Sequence, residues 1–169
     1  MARSPAYAKK AKPVSFWRDE RGAILVEFGL VLPVMLLFFA IMVEGGRMMW
    51  SYQAAISGVR DAGRYLARTA PVDICLTGGS LAGYGPALTD IVGRSIGGNE
   101  LFPAYVTLNS VTPGLACLSG NYRVNPAPIS TVSASMTIDF PFAGIMSLFG
   151  SGMSSVTTTV SDESRVFGQ

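Results

Sequence analysis

Residues 21–43 have the sequence RGAILVEFGLVLPVMLLFFAIMV, an almost uncharged apolar run near the N-terminus. From Ala23 to Val43 it contains a single charged side chain, Glu27. A helix over this range would be roughly 30 Å long, which matches the hydrocarbon thickness of a bilayer. The stretch therefore predicts a membrane-spanning helix over residues 23–43.

Glu27 is the unusual residue in this predicted span. A charge deep in the bilayer costs at least ~2.5 kcal/mol on insertion scales, which makes such a glutamate a candidate functional residue. A purely structural interpretation is also open, because a carboxylate in the first turns of a helix favours the helix dipole and reaches the headgroups. The span alone leaves both interpretations standing.

Pro33 also lies inside the span, where it cannot donate a hydrogen bond to the carbonyl of Gly29. The pair predicts a kink or a loosened turn at this point. An ordinary structural kink and a site built for helix extension both fit, because membrane helices tolerate proline.

Charge is distributed unevenly along the 169 residues. Residues 1–22 carry six basic and two acidic side chains, a net charge of +4, whereas the whole chain has a net charge of +2. The positive-inside rule then places the N-terminus in the cytoplasm and the chain after Val43 outside. The remainder has a net charge of −2, so no basic patch is left for nucleic acid.

Four segments are predicted: a leader at 1–22, the span at 23–43, an extension of the same helix at 44–69, and a head at 70–169.

Beyond the span, apolar residues at helical spacing over 52–66 predict that the helix extends to about Arg68. On another face Arg60, Arg64 and Arg68 are four residues apart, with Asp61 beside Arg64. A solvated, partly ion-paired face is the default interpretation of such a run, and a docking surface is the alternative.

The sequence of the head predicts both helices and strands. A second, shorter helix is expected near Pro86, with its stop at residues 97–99. Alternation of apolar and polar residues predicts strands from Ala104 to Asn109 (before a turn at Pro113-Gly114) and from Val132 to Phe140. The Val and Thr content of residues 154–166 predicts a last strand from Ser154 to Val166. The expected fold class is α+β, a long N-terminal helix with a small antiparallel sheet.

Cys75 and Cys117 are the two cysteines of the chain, and both fall on the outer side of the predicted span. In an oxidising compartment an isolated pair predicts a disulfide, with two free buried thiols as the alternative. The bond would restrict the unfolded chain by roughly 4 kcal/mol on the chain-entropy model. Because the chain contains no histidine, two cysteines are too few for a structural zinc site.

An apolar patch lies on the glycine-bounded connection between the last two predicted strands. Its members are Phe142, Ile145, Met146 and Phe149. The patch either caps the small core or contacts a neighbouring subunit or the membrane surface.

The chain offers little for catalysis. It has no histidine for acid–base work, no glycine-rich loop with phosphate-binding spacing and no recognisable pair of carboxylates. Its three lysines all lie in the leader. The sequence therefore predicts a protein that is not an enzyme and that needs no cofactor.

Three motifs, DERGAILVEFGLVLP at 19–33, VEGGR at 43–47 and AGRY at 62–65, resemble the TadE-like family of pseudopilins. These proteins are accessory subunits of tight-adherence (Tad/Flp) type IV pilus machines. The resemblance implies a pilin-like fold and cleavage between Gly22 and Ala23 by a membrane-embedded prepilin peptidase. It also implies an anchor in the inner membrane, a head in the periplasm, and two further partners, other pilin-like subunits and the pilus assembly platform.

Cleavage would create a new α-amine on Ala23, four residues before Glu27. At neutral pH the amine is positive and the carboxylate is negative, and pairing removes much of the cost of holding either in an apolar region. If the amine belongs to an incoming subunit and Glu27 to a resident one, their attraction sets the axial register; pairing within one chain is the competing geometry. The expected protein is a minor pilin-like subunit. The alternative is an uncleaved single-span envelope protein whose head binds or scaffolds other proteins.

Overall fold

The computed structural model describes residues 21–94, 97–147, 150 and 153–168. Apart from Arg21 and Gly22, the predicted leader lies outside these residues. In chain order the elements are α1 (Arg21–Thr69), α2 (Ile74–Thr77), a 3-10 turn (Ala82–Tyr84), α3 (Gly85–Gly93), β1 (Val106–Leu118), β2 (Ala127–Asp139), α4 (Ala143–Ser147) and β3 (Ser155–Arg165). The long N-terminal helix followed by an antiparallel sheet confirms the predicted α+β, pilin-like class.

The helix α1 continues from the apolar stretch into the predicted extension and is 49 residues long. It ends at Thr69, one residue beyond the predicted end, because Pro71 disfavours the helical conformation at the residue before it. The chain divides into two compact units between Phe38 and Phe39, so the second unit holds the C-terminal part of α1 and everything that follows. The four-segment division predicted from the sequence stays a prediction.

The second predicted helix, α3, ends at Gly93 rather than near residue 97. Arg94 already has an extended backbone (φ −128°, ψ 147°) and pairs in an isolated antiparallel bridge with Glu100. The predicted stop was therefore too late, because the glycines at 97 and 98 turn the chain between the two bridge residues instead of ending the helix.

The sheet has three antiparallel strands in the order β1-β2-β3. The predicted turn at Pro113-Gly114 was wrong, since β1 continues through both residues to Leu118 and Pro113 lies opposite Val132. Proline is tolerated here because β1 is an edge strand, where a missing N–H need not break a ladder on both sides. The central strand β2 begins five residues earlier than predicted, and β3 matches its prediction to within one residue at each end.

The core lies between one face of the sheet and the helices. Along β2 the buried residues alternate as predicted, with Val132, Ala134, Met136 and Ile138 each no more than 1% exposed. They share a hydrophobic cluster with α1, α3 and the edge strands, to which these helices contribute Ala55, Val59, Ala62, Leu66, Leu88 and Val92. The alternation determines which face of the sheet is buried, because successive side chains of a strand point to opposite faces.

Two glycines let α1 pack closely in the second unit. A Cβ on Gly58 would lie 2.9 Å from the carbonyl oxygen of Val92 in α3, and a Cβ on Gly63 would lie 3.1 Å from the carboxylate of Asp162 in β3. The Ser164 hydroxyl donates a 3.0 Å hydrogen bond to the Gly63 carbonyl. These contacts bring the backbone of α1 within reach of both α3 and the sheet.

Candidate functional site

The N-terminal part of α1 presents an apolar surface. Among the described residues, α1 is the one helix that is long and apolar enough to cross a membrane. Its large side chains are exposed, with Leu25 at 73% and Leu30 at 71% of their full accessibility. An exposed apolar surface of this kind marks an interaction site, and one such helix is consistent with a single membrane span.

The predicted processing and register residues lie in the first turns of this helix. Gly22, Ala23 and Glu27 are all exposed, and a Cβ added to Gly22 would meet no atom within 4 Å. Ala23 and Glu27 share a helix face, since they are four residues apart. The arrangement leaves the Glu27 carboxylate accessible from outside the chain. Cleavage at Gly22 and the register role of Glu27 stay predictions.

Gly29 and Pro33 lie farther along α1, four residues apart. The helix runs through Pro33 as one element, and the surroundings of Gly29 are open. The predicted kink or extension point at this pair stays a prediction.

Cys75 and Cys117 form a disulfide with a Cα–Cα distance of 5.8 Å. The bond joins α2, a single turn, to the C-terminal end of β1. Ile74, beside Cys75, is buried in the core at 3% exposure. The structure therefore contains the predicted bond, and the bond connects a turn too short to be stable by itself to the edge of the sheet.

The predicted apolar patch lies on the β2–β3 connection, and this connection contains the short helix α4. Phe142 and Ile145 are half-buried, whereas the side chain of Met146 and the whole of Phe149 lie outside what the structure describes. Neither Phe142 nor Ile145 belongs to the described core cluster or to the half-buried apolar residues packed against it. These two side chains therefore do not hold the β2–β3 connection in place by packing into the described core.

Glu44 contacts the β2–β3 connection and holds it against α1. The sequence predicted no role for this residue. Its side chain is only 5% exposed, and its Oε1 accepts a 2.7 Å hydrogen bond from the backbone N–H of Phe142. The two residues are 98 positions apart, so no local pattern connects them. The available sequence clue was the place of Glu44, the first charged residue after the apolar run.

Arg47, one turn beyond Glu44, makes a second contact that the sequence did not reveal. Its guanidinium lies 3.7 Å from the centroid of the Tyr105 ring, a cation–π contact with the segment that leads into β1. Together Glu44 and Arg47 connect one turn of α1 to two separate segments of the head. The motif VEGGR thus marks a junction between the helix and the head.

The face of α1 that carries Arg60, Arg64 and Arg68 is exposed at its one described ion pair. The Arg64 guanidinium lies 3.4 Å from the Asp61 carboxylate, and the two side chains are 71% and 63% exposed. Such exposed pairs contribute at most about 1 kcal/mol. This geometry fits the solvated interpretation of the face, and the docking alternative stays open.

No candidate metal centre emerges from the residues that the structure describes. Over 21–94, 97–147, 150 and 153–168, no group of three or more His, Cys, Asp or Glu side chains is placed to hold a metal ion. The features that stand out are the apolar face of α1 and the contacts of Glu44 and Arg47.

Comparison with known proteins finds a similarity for the N-terminal helix. The model of the TadE-like protein family matches residues 22–64, about a quarter of the chain. No curated protein and no solved structure matches the chain. The match begins one residue after the start of α1 and ends five residues before its last residue. Residues 22–64, which form most of α1, are therefore similar to the TadE-like protein family.

Proposed function

We propose that this chain is a minor pilin-like subunit of a Tad/Flp type IV pilus machine, needed for the biogenesis or function of the pilus. The observation that carries the proposal is the coincidence of two ranges, since the family match over 22–64 falls on the helix Arg21–Thr69. TadE-like proteins are pilin-like structural proteins, not enzymes. The matched segment holds the entire predicted span and most of its extension.

In this proposal α1 crosses the inner membrane with the leader in the cytoplasm and the head in the periplasm. The net charge of +4 in residues 1–22 supports that orientation. The disulfide between Cys75 and Cys117 is in keeping with it, because such bonds persist in the oxidising periplasm. A prepilin peptidase removes the leader by cutting between Gly22 and Ala23.

Glu27 has a defined role in this proposal. The α-amine of a processed Ala23 on an incoming subunit pairs with the Glu27 carboxylate of a resident subunit, and the pair sets their axial register. The helices otherwise pack through apolar surfaces, between which lipid supplies no hydrophobic driving force, so a single polar pair has a large effect on alignment. The exposed position of Glu27 on α1 supports a contact of this kind.

The processing step is tested by the N-terminus of the full chain extracted from membranes with and without the peptidase. We expect mass spectrometry to find a chain that begins at Ala23 when the peptidase is present. Gly22→Leu is expected to abolish cleavage by adding bulk at the cut site. Gly29→Leu is the matched control, since both glycines lie in α1 with open surroundings and Gly29 is seven residues from the cut.

A chain that begins at Met1 or Ala2 in the presence of the peptidase would refute cleavage. That result would favour an uncleaved single-span envelope protein whose head binds or scaffolds other proteins. Equal cleavage of the Gly22→Leu and Gly29→Leu variants would show that Gly22 does not define the cut site.

A further inference from the structure

The contact between Glu44 and Phe142 fixes one end of the β2–β3 connection to α1. A buried carboxylate loses its hydration, and a short hydrogen bond from a backbone N–H restores part of that loss. Within the described residues Glu44 makes no ion pair, so this 2.7 Å bond is its principal polar contact. The connection is also closed at its base, where the Phe140 N–H donates to the Ser154 carbonyl at 2.8 Å.

The position of Glu44 along the helix places this contact at a particular depth. Glu44 directly follows Val43, the last residue of the predicted span, so the Phe142 amide lies level with the end of the span. The opposite end of the sheet is tied to α1 in a comparable way, by a 3.0 Å hydrogen bond from the Phe167 N–H to the Ala67 carbonyl. Ala67 lies 23 residues beyond Glu44, which corresponds to roughly 35 Å along a helix.

The chemistry of the connection suits the boundary between lipid headgroups and acyl chains. No charged residue occurs from Phe140 to Ser154. Phe142 and Ile145 are half-buried without joining the described core, and Met153 is 58% exposed. Aromatic and aliphatic side chains gain free energy at this boundary, whereas a charge on the same loop would have to remain in water.

We infer that residues 141–147 rest on the outer surface of the membrane, with Phe142 and Ile145 at the headgroup boundary. Glu44 is the positioning residue, because its carboxylate holds the Phe142 amide at the depth where α1 leaves the bilayer. The inference rests on the proposed function, since it requires that α1 spans the membrane. It assigns Phe142 and Ile145 to a lipid surface and not to the core or to a neighbouring subunit.

The test measures the depth of single tryptophans in the full chain reconstituted into phospholipid nanodiscs. Both natural tryptophans are first replaced, by Trp17→Phe and Trp50→Phe. One tryptophan is then introduced as Phe142→Trp, as Phe167→Trp or as Phe28→Trp. Quenching by phospholipids brominated at shallow and deep acyl positions reports the depth of each. Phe167→Trp is the matched control, because Phe167 is also tied to α1 by its backbone N–H but far from the span.

We expect Phe142→Trp to be quenched most by shallow bromines, Phe28→Trp to be quenched by lipid bromines, and Phe167→Trp to be unaffected. If Phe28→Trp is quenched and Phe142→Trp is not, the surface inference is wrong while the membrane span stands. If Phe28→Trp is also unquenched, the span itself fails, and with it the proposed function. Blue-shifted emission from Phe142→Trp without quenching would mean that protein covers the patch, which also overturns the inference.

The role of Glu44 is tested in the same Phe142→Trp background. Glu44→Leu removes the acceptor at similar size, and Glu44→Gln keeps an oxygen that can accept the hydrogen bond. We expect Glu44→Leu to lose shallow quenching and to speed hydrogen exchange of the Phe142 amide, and Glu44→Gln to retain both properties. Circular dichroism and an intact disulfide establish that each variant is folded. Unchanged quenching in the folded Glu44→Leu variant would refute positioning by Glu44.

Discussion

Loss of the Cys75–Cys117 disulfide is expected to lower the free energy of unfolding of the second unit by about 4 kcal/mol. The bond closes a loop with a sequence separation of 42 residues, and the chain-entropy relation gives about 4 kcal/mol for a loop of that length at 25 °C. The folded state loses little else, because Cys117 is exposed and Cys75 is half-buried. For a unit of this size the change corresponds to a fall in Tm of roughly 10–20 °C.

The assay is a urea titration of the full chain in detergent micelles. It compares the oxidised protein, the protein reduced with dithiothreitol, and the double variant Cys75→Ala with Cys117→Ala. The reduced protein and the double variant should lose the same free energy, and reductant should not change the double variant further. A loss below about 1 kcal/mol would refute the reasoning, since it would mean that the loop adds little freedom to the unfolded chain.

Two further outcomes follow from the helix. Glu27→Ala is expected to leave cleavage and membrane insertion intact but to impair pilus assembly, as counted on cells by electron microscopy; normal piliation would defeat the register hypothesis. Gly58→Ala is expected to destabilise the fold by roughly 1–3 kcal/mol in urea titrations, because its Cβ would lie 2.9 Å from the Val92 carbonyl. Gly46→Ala, in the same helix with nothing within 4 Å, should be neutral or stabilising, and equal losses in the two variants would contradict this account.

Much of the fold could be predicted because its determinants are local. The apolar run and the helical spacing beyond it predicted α1 to within one residue of its C-terminal end. The alternation over residues 132–139 predicted the buried face of β2, and β3 was predicted to within one residue at each end. The pairing of Cys75 with Cys117 needed no geometry, since the chain has no third cysteine.

Two predictions were wrong, the turn at Pro113-Gly114 and the end of α3. In both places hydrogen bonding between extended segments overrode the local conformational preference of the residues. Pro113-Gly114 has the composition of a turn, yet both residues extend β1 because hydrogen bonds with β2 continue past them. The helix α3 ends at Gly93, because Arg94 pairs with Glu100 in a β-bridge. The residues near position 94 have no sequence pattern that predicts this bridge. Strand pairing depends on a partner distant in sequence, so a short window cannot reveal it.

Residue types and their spacing were enough to predict the apolar N-terminal helix, the position of Glu27 in it, the α+β class and the Cys75–Cys117 disulfide. Each of these depends on residue type and spacing within one stretch, or on a count. The hydrogen bond between Glu44 and Phe142, the contact of Arg47 with Tyr105 and the close packing at Gly58 became visible only in the folded structure. These contacts join residues tens of positions apart, and their energy comes from burial and hydrogen bonding that exist only once the chain has folded.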